Sequence, residues 1–307
     1  VLGLDHRGSG VPGVEYLDAD GALRTATADA YVLAASAIES ARLCLDSGDL
    51  GNSSGLVGRH LMFHFYTSVN GFWPRRLHGQ RGRTNSHAFS DFRGVEPGGL
   101  VPRVFREGGT PVVALGGVCD FNLSQGLVIT NDGDVFTRQL PRGFGRRYGI
   151  GLKNALRDGA LSQHLLSLSM IGEDAPQPTN RVDLDPSVRD VFGRPVARVT
   201  YRNHAFELAA REFYIPHMRR VLENAGLERI FTQPCDALFG DPPVSRHVMG
   251  TLRMGTDPAA SVVDAGGRFH DVENLYACDG AVFPTSSGFN PTMTIIAVAA
   301  KIAHGMG

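Results

Sequence analysis

Short alternating runs open the chain. Positions 14–18 and 23–27 flank the turn residues Ala19-Asp20-Gly21 and predict a hairpin, and 31–35 predicts a buried strand. Over 37–47, Ile38, Ala41, Cys44 and Leu45 share one helical face, and Gly48 is a natural stop. A strand that feeds a helix through small residues, Ala34-Ala35-Ser36-Ala37, either packs tightly or brings a helix N-terminus close to a ligand.

The middle of the chain is richer in strand pattern. Strands are predicted at 61–73, 112–121 and 165–171, and a hairpin from 181–185 and 195–201 around a polar turn at 190–193. A long helix is predicted over 205–224, with Asn203 as its cap and Gly226 past its end. The stretch 71–107 is rich in Gly, Pro and Arg and reads as a solvated loop, or as a lid or subunit contact. Near the end, a strand at 274–278 stops at Asp279-Gly280, and a Pro/Ser/Gly loop at 283–289 follows. The apolar helix predicted at 293–302 then has Asn290 at its cap and Pro291 at its first position.

Composition narrows the function classes. The chain has 307 residues, 42% hydrophobic and 20% charged, which suits about two globular domains with sizeable cores. A net charge of −1 leaves no electrostatic footprint for nucleic acid or an anionic membrane. Glycine stands out at 38 residues, about 12% against a usual 7% or so, and implies many special turns and close backbone approaches. Cys44, Cys119, Cys235 and Cys278 are too widely spaced for a zinc site or redox pair, so no metal is expected and four half-buried thiols are. They suit a reducing, cytoplasmic setting. No apolar run is long enough to span a bilayer, and no signal peptide is visible from Val1 onward.

Several motifs fail on context. Gly8-Ser9-Gly10-Val11-Pro12-Gly13 matches a dinucleotide fingerprint in letters, but a hairpin follows it instead of a helix, so it reads as a turn. No phosphate-binding G-x-x-x-x-G-K loop, G-x-S-x-G elbow or H-E-x-x-H pair occurs. Two segments remain: His247-Val248-Met249-Gly250-Thr251-Leu252-Arg253-Met254-Gly255, and Asp279-Gly280 through Asn290-Pro291-Thr292. A neutral histidine can accept a hydroxyl proton and an asparagine amide can hold the same hydroxyl. A helix starting near Asn290 offers unpaired N–H groups and partial positive charge to an anion.

These segments, with 32–43, 51–62 and Ser261-Val262-Val263-Asp264, resemble the glucose-methanol-choline (GMC) family of flavin-dependent oxidoreductases. The His247/Asn290 combination looks most like the family's sugar-oxidising and sterol-oxidising branches, with bacterial sugar or glycoside and pyranose oxidases and dehydrogenases the nearest members. The resemblance implies a fold of the α/β and α+β classes: an incomplete Rossmann-like FAD-binding domain, and a substrate domain on a mostly antiparallel sheet with helices. It assigns 1–60 and 265–307 to the FAD domain and 61–264 to the substrate domain. It implies His247 and Asn290 as the catalytic pair, with Ala34, Ala35, Asp279, Gly280, Asn290, Pro291 and Thr292 at the FAD. The implied activity is oxidation of an alcohol CH–OH by proton abstraction and hydride transfer to flavin. A sugar, glycoside or polyol substrate is favoured by the donor-rich stretch 75–87. The electron acceptor is not specified. The family's N-terminal strand–G-x-G-x-x-G–helix segment has no counterpart here, so a partner segment is expected to complete the FAD site. The alternatives are a hydroxynitrile-lyase-like member that does no redox chemistry, and a non-catalytic fragment or subunit.

Overall fold

The computed structural model describes residues 1–77, 85–93, 105–107, 110–112, 117–123, 150, 164–232 and 247–306. The described elements begin with β1 (Gly3–Leu4), β2 (Val14–Leu17), β3 (Leu23–Ala26), β4 (Tyr31–Leu33) and α1 (Ser36–Asp46). Next come β5 (Phe65–Phe72), β6 (Asn85–Phe89), β7 (Phe105–Glu107), β8 (Thr110–Val112), β9 (Cys119–Leu123) and β10 (Leu165–Gly172). The last are β11 (Arg181–Arg189), β12 (Pro195–Thr200), α2 (Ala205–Asn224), β13 (Glu228–Thr232), β14 (Leu275–Ala277) and α3 (Thr292–Met306).

The chain forms two compact units. The first comprises Val1–His64, Asp174–His204 and the described part of Ala237–Gly307. Its sheet β1-β2-β3 is antiparallel, its pair β4–β14 is parallel, and β11–β12 is a hairpin. The Gly8–Gly13 match lies between β1 and β2, where Arg7 and Gly10 exchange both backbone hydrogen bonds; it is a turn leading into a strand. Helix α1 buries Ala37, Ala41 and Cys44, spaced so that they share one face. That face joins a core with Leu61, Phe63, Val182, Leu252, Leu275 and Ala281.

The second unit comprises the described residues of Phe65–Glu173 and Ala205–Asp236. Its sheet has the order β13-β5-β10-β9-β6, with every neighbouring pair antiparallel. All eight residues of β10 are buried, as a strand paired on both sides requires. Ala210, Tyr214, Met218 and Leu222 recur every fourth residue of α2, and they cluster with Val69, Leu166, Leu168 and Met170 of the sheet. The helix ends where Leu227 N–H donates to the Leu222 carbonyl and Gly226 N–H to that of Glu223, with Gly226 at a φ of +86°. The expected mixture of α/β and mostly antiparallel α+β structure is present.

Three expectations shift. The strand expected at 61–73 begins at Phe65, because 61–62 bond elsewhere: Leu61 N–H to Asn180 and Met62 to Met249. Within 112–121, Val112 closes β8 and 119–121 belong to β9, while 113–116 lie outside the described residues. Helix α3 begins at Thr292, and Ile295 N–H donates to the Pro291 carbonyl at 2.8 Å, which puts Pro291 at the cap. Asn290 therefore stands outside the helix. The domain limits expected from the sequence, 61–264 against the two ends, do not coincide with the compact units. Residues 174–204 and 247–264 fall in the first unit, where Val182 N–H bonds the Gly58 carbonyl and Leu252 N–H that of Ala281.

Cys44 and Cys119 are buried and Cys278 is half-buried; Cys235 lies outside the described residues. Burial pushes the Cys44 thiol far above its ordinary range, so it is an inert core group.

Candidate active site

His247 is placed by a run of backbone hydrogen bonds. Met62 and Met249 exchange both, each at 2.9 Å, as an antiparallel bridge. Thr251 N–H donates to Arg59, while Gly250, Leu252 and Met254 donate to Gly280, Ala281 and Val282. The segment is thus stitched on one side to 59–62 and on the other to 280–282. Gly250 is required by this closeness: its φ is +77° and a Cβ would stand 2.1 Å from the His60 carbonyl oxygen. Gly280 is required likewise, since a Cβ there would meet the Val248 carbonyl oxygen at 2.6 Å. These glycines let the chain approach itself, which is one form of the close backbone approach that the glycine content implies.

The bridge also sets what faces His247. Two residues along from Met62 and two back from Met249, the antiparallel register puts His64 opposite His247. Their Nδ1 atoms are 2.7 Å apart, and the rings meet edge-on, with centroids at 4.8 Å and planes at 83°. His64 is fully buried and His247 half-buried. Burial, then the neighbouring His247, pushes His64 down to about 4, against a hydrogen bond to the Ser287 backbone that raises it. Burial also lowers His247. Both rings are neutral at neutral pH, which is the state a general base needs.

Asp174 holds the surroundings of this pair. The side chain, on a residue 3% exposed, accepts from the Tyr201 hydroxyl at 2.8 Å and from the Phe63 N–H, one residue before His64. Its backbone is clipped by Ser286, whose Oγ accepts from Asp174 N–H at 2.8 Å and donates to the Asp174 carbonyl at 3.0 Å. Ser286 in turn precedes Ser287, the backbone partner of His64.

The other expected residues divide into two groups. The Asp279 carboxylate accepts from Ser36 N–H at 2.9 Å, Ser40 Oγ at 2.7 Å and Ala281 N–H at 2.8 Å. Its side chain is committed to the protein; it caps α1, whose own cap residue, Ala35, has no side chain able to do so. Ala34 and Ala35 form an exposed ledge at the end of β4. Asn290 and Thr292 are exposed, and Asn290 makes no hydrogen bond among the described residues, so its amide is available. Gly280 joins the two ends of the site, since it packs against Val248 and lies beside Ile295 in the first turn of α3. Among the described residues no cluster of His, Cys, Asp or Glu could hold a metal, and no helix is long and apolar enough to cross a membrane.

Comparison with known proteins decides the family. Residues 176–299 match the family model described as GMC oxidoreductase. The chain carries the C-terminal domain of GMC oxidoreductases. It is 30% identical over 311 residues to 2-methyl-1,2-propanediol dehydrogenase of Mycolicibacterium austroafricanum, covering 94% of this chain and 50% of that one. It is 29% identical over 285 residues to paromamine 6'-oxidase of Streptomyces fradiae, covering 91% of this chain and 45% of that one. Among solved structures, pyridoxine 4-oxidase from Mesorbium loti superposes with a TM-score of 0.63 at 18% identity, over 99% of this chain and 56% of that one. The chain spans about half the length of the curated relatives it matches.

Within the first unit, surfaces suited to one side of a flavin dinucleotide are present. The Ala34–Ala35 ledge is exposed. The first amides of α3 precede the first intrahelical donor, Ile295, and so keep their hydrogen-bonding capacity. Phe289 and Met293, the latter 75% exposed, offer apolar contact beside that helix start. Sequence reasoning missed His64 and Asp174. A histidine inside the apolar run Leu61-Met62-Phe63-His64-Phe65 was the available signal.

Proposed function

We propose that this chain supplies the catalytic portion of an FAD-dependent enzyme that oxidises an alcohol CH–OH group. The observation that carries the reading is His247: a half-buried imidazole, kept neutral by burial and braced from behind by His64. FAD, when bound, supplies the hydride acceptor. His247 takes the hydroxyl proton as the carbonyl forms, and the Asn290 amide donates to the substrate oxygen. The exposed start of α3 and the Ala34–Ala35 ledge hold the cofactor, with the helix's unpaired amides set against its anionic groups. Asp279 contributes by fixing the start of α1, since its carboxylate is already satisfied.

A sugar, glycoside or polyol is the proposed substrate class. The stretch 75–87 that suggested it lies partly outside the described residues. That the curated relatives include a 2-methyl-1,2-propanediol dehydrogenase and a paromamine 6'-oxidase agrees with this class.

The test is anaerobic stopped-flow mixing of the complete FAD-loaded polypeptide with candidate alcohols and sugars. His247→Ala should keep its flavin yet lose about 10²–10⁴-fold in the rate of flavin bleaching. Near-normal bleaching would remove His247 from the chemistry.

A further inference from the structure

We propose that Thr251 is a positioning residue: its hydroxyl locks the His247 segment to the first turn of α1, and so sets the base against the Ala34–Ala35 ledge. This rests on the reading of His247 as the base and of that ledge as a cofactor surface.

Thr251 is fully buried and has a φ of +80°, in the left-handed region where a β-branched side chain crowds the backbone. Glycine would stand there without strain, as Gly250 beside it does at +77°. Every polar group of the threonine is engaged. Its N–H donates to the Arg59 carbonyl at 3.0 Å, its carbonyl accepts from Gly58 N–H at 2.8 Å, and its Oγ1 donates to the Ala37 carbonyl at 2.7 Å. A glycine would keep the first two bonds. Only the third needs a side chain, so the hydroxyl is what sets against the strain of this position.

That bond joins two parts of the proposed site. Ala37 lies in the first turn of α1, two residues past the ledge, and Thr251 lies four residues past His247. A helical carbonyl already takes the amide four residues on, and Thr251 uses its second lone pair. The same turn of α1 is held from another side by Asp279, which accepts from Ser36 N–H and Ser40 Oγ, and the next carbonyl, that of Gly280, accepts from Gly250 N–H. The start of α1, 279–280 and 250–251 thus close a ring of hydrogen bonds. Backbone strain gathers there. Five described residues other than glycine have a positive φ, and three of them, Ser36, His60 and Thr251, stand on or beside this ring. Such conformations persist where the surroundings over-determine the backbone, and they cluster where placement matters. Thr251 is sealed from the surface, so it acts through the position it gives His247.

The test compares three variants of the complete FAD-loaded polypeptide. Thr251→Ser keeps the hydroxyl, Thr251→Val keeps the shape without it, and Thr251→Gly frees the backbone without it. Thr251→Val and Thr251→Gly should retain flavin, yet its limiting rate of reduction by an alcohol or sugar should fall about 10- to 100-fold with substrate affinity little changed. Thr251→Ser should keep most of the native rate. Before any substrate is added, the visible circular dichroism of the bound flavin should change in the Val and Gly variants and match the native protein in Ser. Flavin-bearing Thr251→Val with the native rate and the native flavin dichroism overturns the proposal. An equal loss in Thr251→Ser overturns it too, since methyl packing and not the hydroxyl would then set the geometry. Where Thr251→Val does not fold, Thr251→Gly, whose backbone suits the site, decides by the same two readings. If no alcohol or sugar reduces the native flavin, the proposed function fails, and the flavin dichroism of the three variants decides the positioning role by itself.

Discussion

Two buried carboxylates hold the first unit together, and they differ in a way that explains the site. Asp279 spends both oxygens on element starts: the exposed first amide of α1, the buried Ser40 hydroxyl beneath it and the buried amide of Ala281. Asp174 lies deeper, at 3% exposure against 9%, and joins three separate segments, where Asp279 ties α1 to the turn that follows its own strand. Its partners Tyr201, Phe63 and Ser286 are 27, 111 and 112 residues away. The first is a helix cap made by the end of a spatially adjacent strand; the second is a junction on which the two faces of His64 depend. The difference teaches that the chemistry is not carried by either acid. One shapes the ledge proposed to meet the cofactor, and the other registers the histidines.

The largest effect should come from the deeper junction. Asp174→Ala strands the Tyr201 hydroxyl and the Phe63 N–H in a site water cannot easily enter, at a cost of about 3–5 kcal/mol. Denaturant unfolding of the native and variant proteins measures it. A loss below about 1 kcal/mol would erase the distinction drawn between the two acids.

That contrast also marks how far the sequence could be read. Asp279 was visible, because Asp-Gly after a short apolar strand is a local pattern, although its side chain proves to serve α1. The elements with strong periodicity were visible as well: α1, α2, the 14–26 hairpin and β10 come from runs whose spacing settles their type. Asn290 and Pro291 were found, one position off, because cap chemistry tells a helix start better than its exact register. Asp174 was invisible, since nothing near Glu173-Asp174-Ala175 announces partners more than a hundred residues away. His64 was hidden for the same reason. Only the Met62–Met249 bridge reveals that it lies opposite His247, and a single isolated bridge leaves no periodic trace.

Acid comes next in size, and it acts on the histidine side. His64 is held near 4 in the folded chain against about 6.5 unfolded, chiefly by burial. Between those values the unfolded chain binds a proton that the folded chain refuses, so stability falls as pH drops from about 6.5 to 4 and levels off below. The contribution is about 3 kcal/mol for a shift of this size, and the accompanying depression of His247 has the same sign. Unfolding free energies measured from pH 7.5 to 4 should lose most of this slope in His64→Asn, His247 keeping its own share; a slope that survives undiminished would place the acid sensitivity elsewhere. Asp279→Ala should cost less, about 2 kcal/mol, because Ser36 is exposed and water can replace part of what its amide loses. If that variant kept full stability yet could not retain FAD, Asp279 would be a cofactor ligand after all, and its comparison with Asp174 would have to be redrawn.

The smallest effect on stability belongs to Asn290, and its smallness is informative. The residue lies outside α3, is exposed, and neither caps the helix nor bonds another described residue. Its removal should strand nothing, so Asn290→Ala should change unfolding free energy by no more than about 0.5 kcal/mol. The same variant should slow flavin reduction by alcohols, because the amide proposed to hold the substrate oxygen is gone. A side chain that matters to turnover and not to folding is the signature expected of a substrate contact on a frame built by other residues. A loss of 2 kcal/mol or more on unfolding would instead put Asn290 beside Asp174 and Asp279 as part of that frame, and leave His247 without its proposed partner.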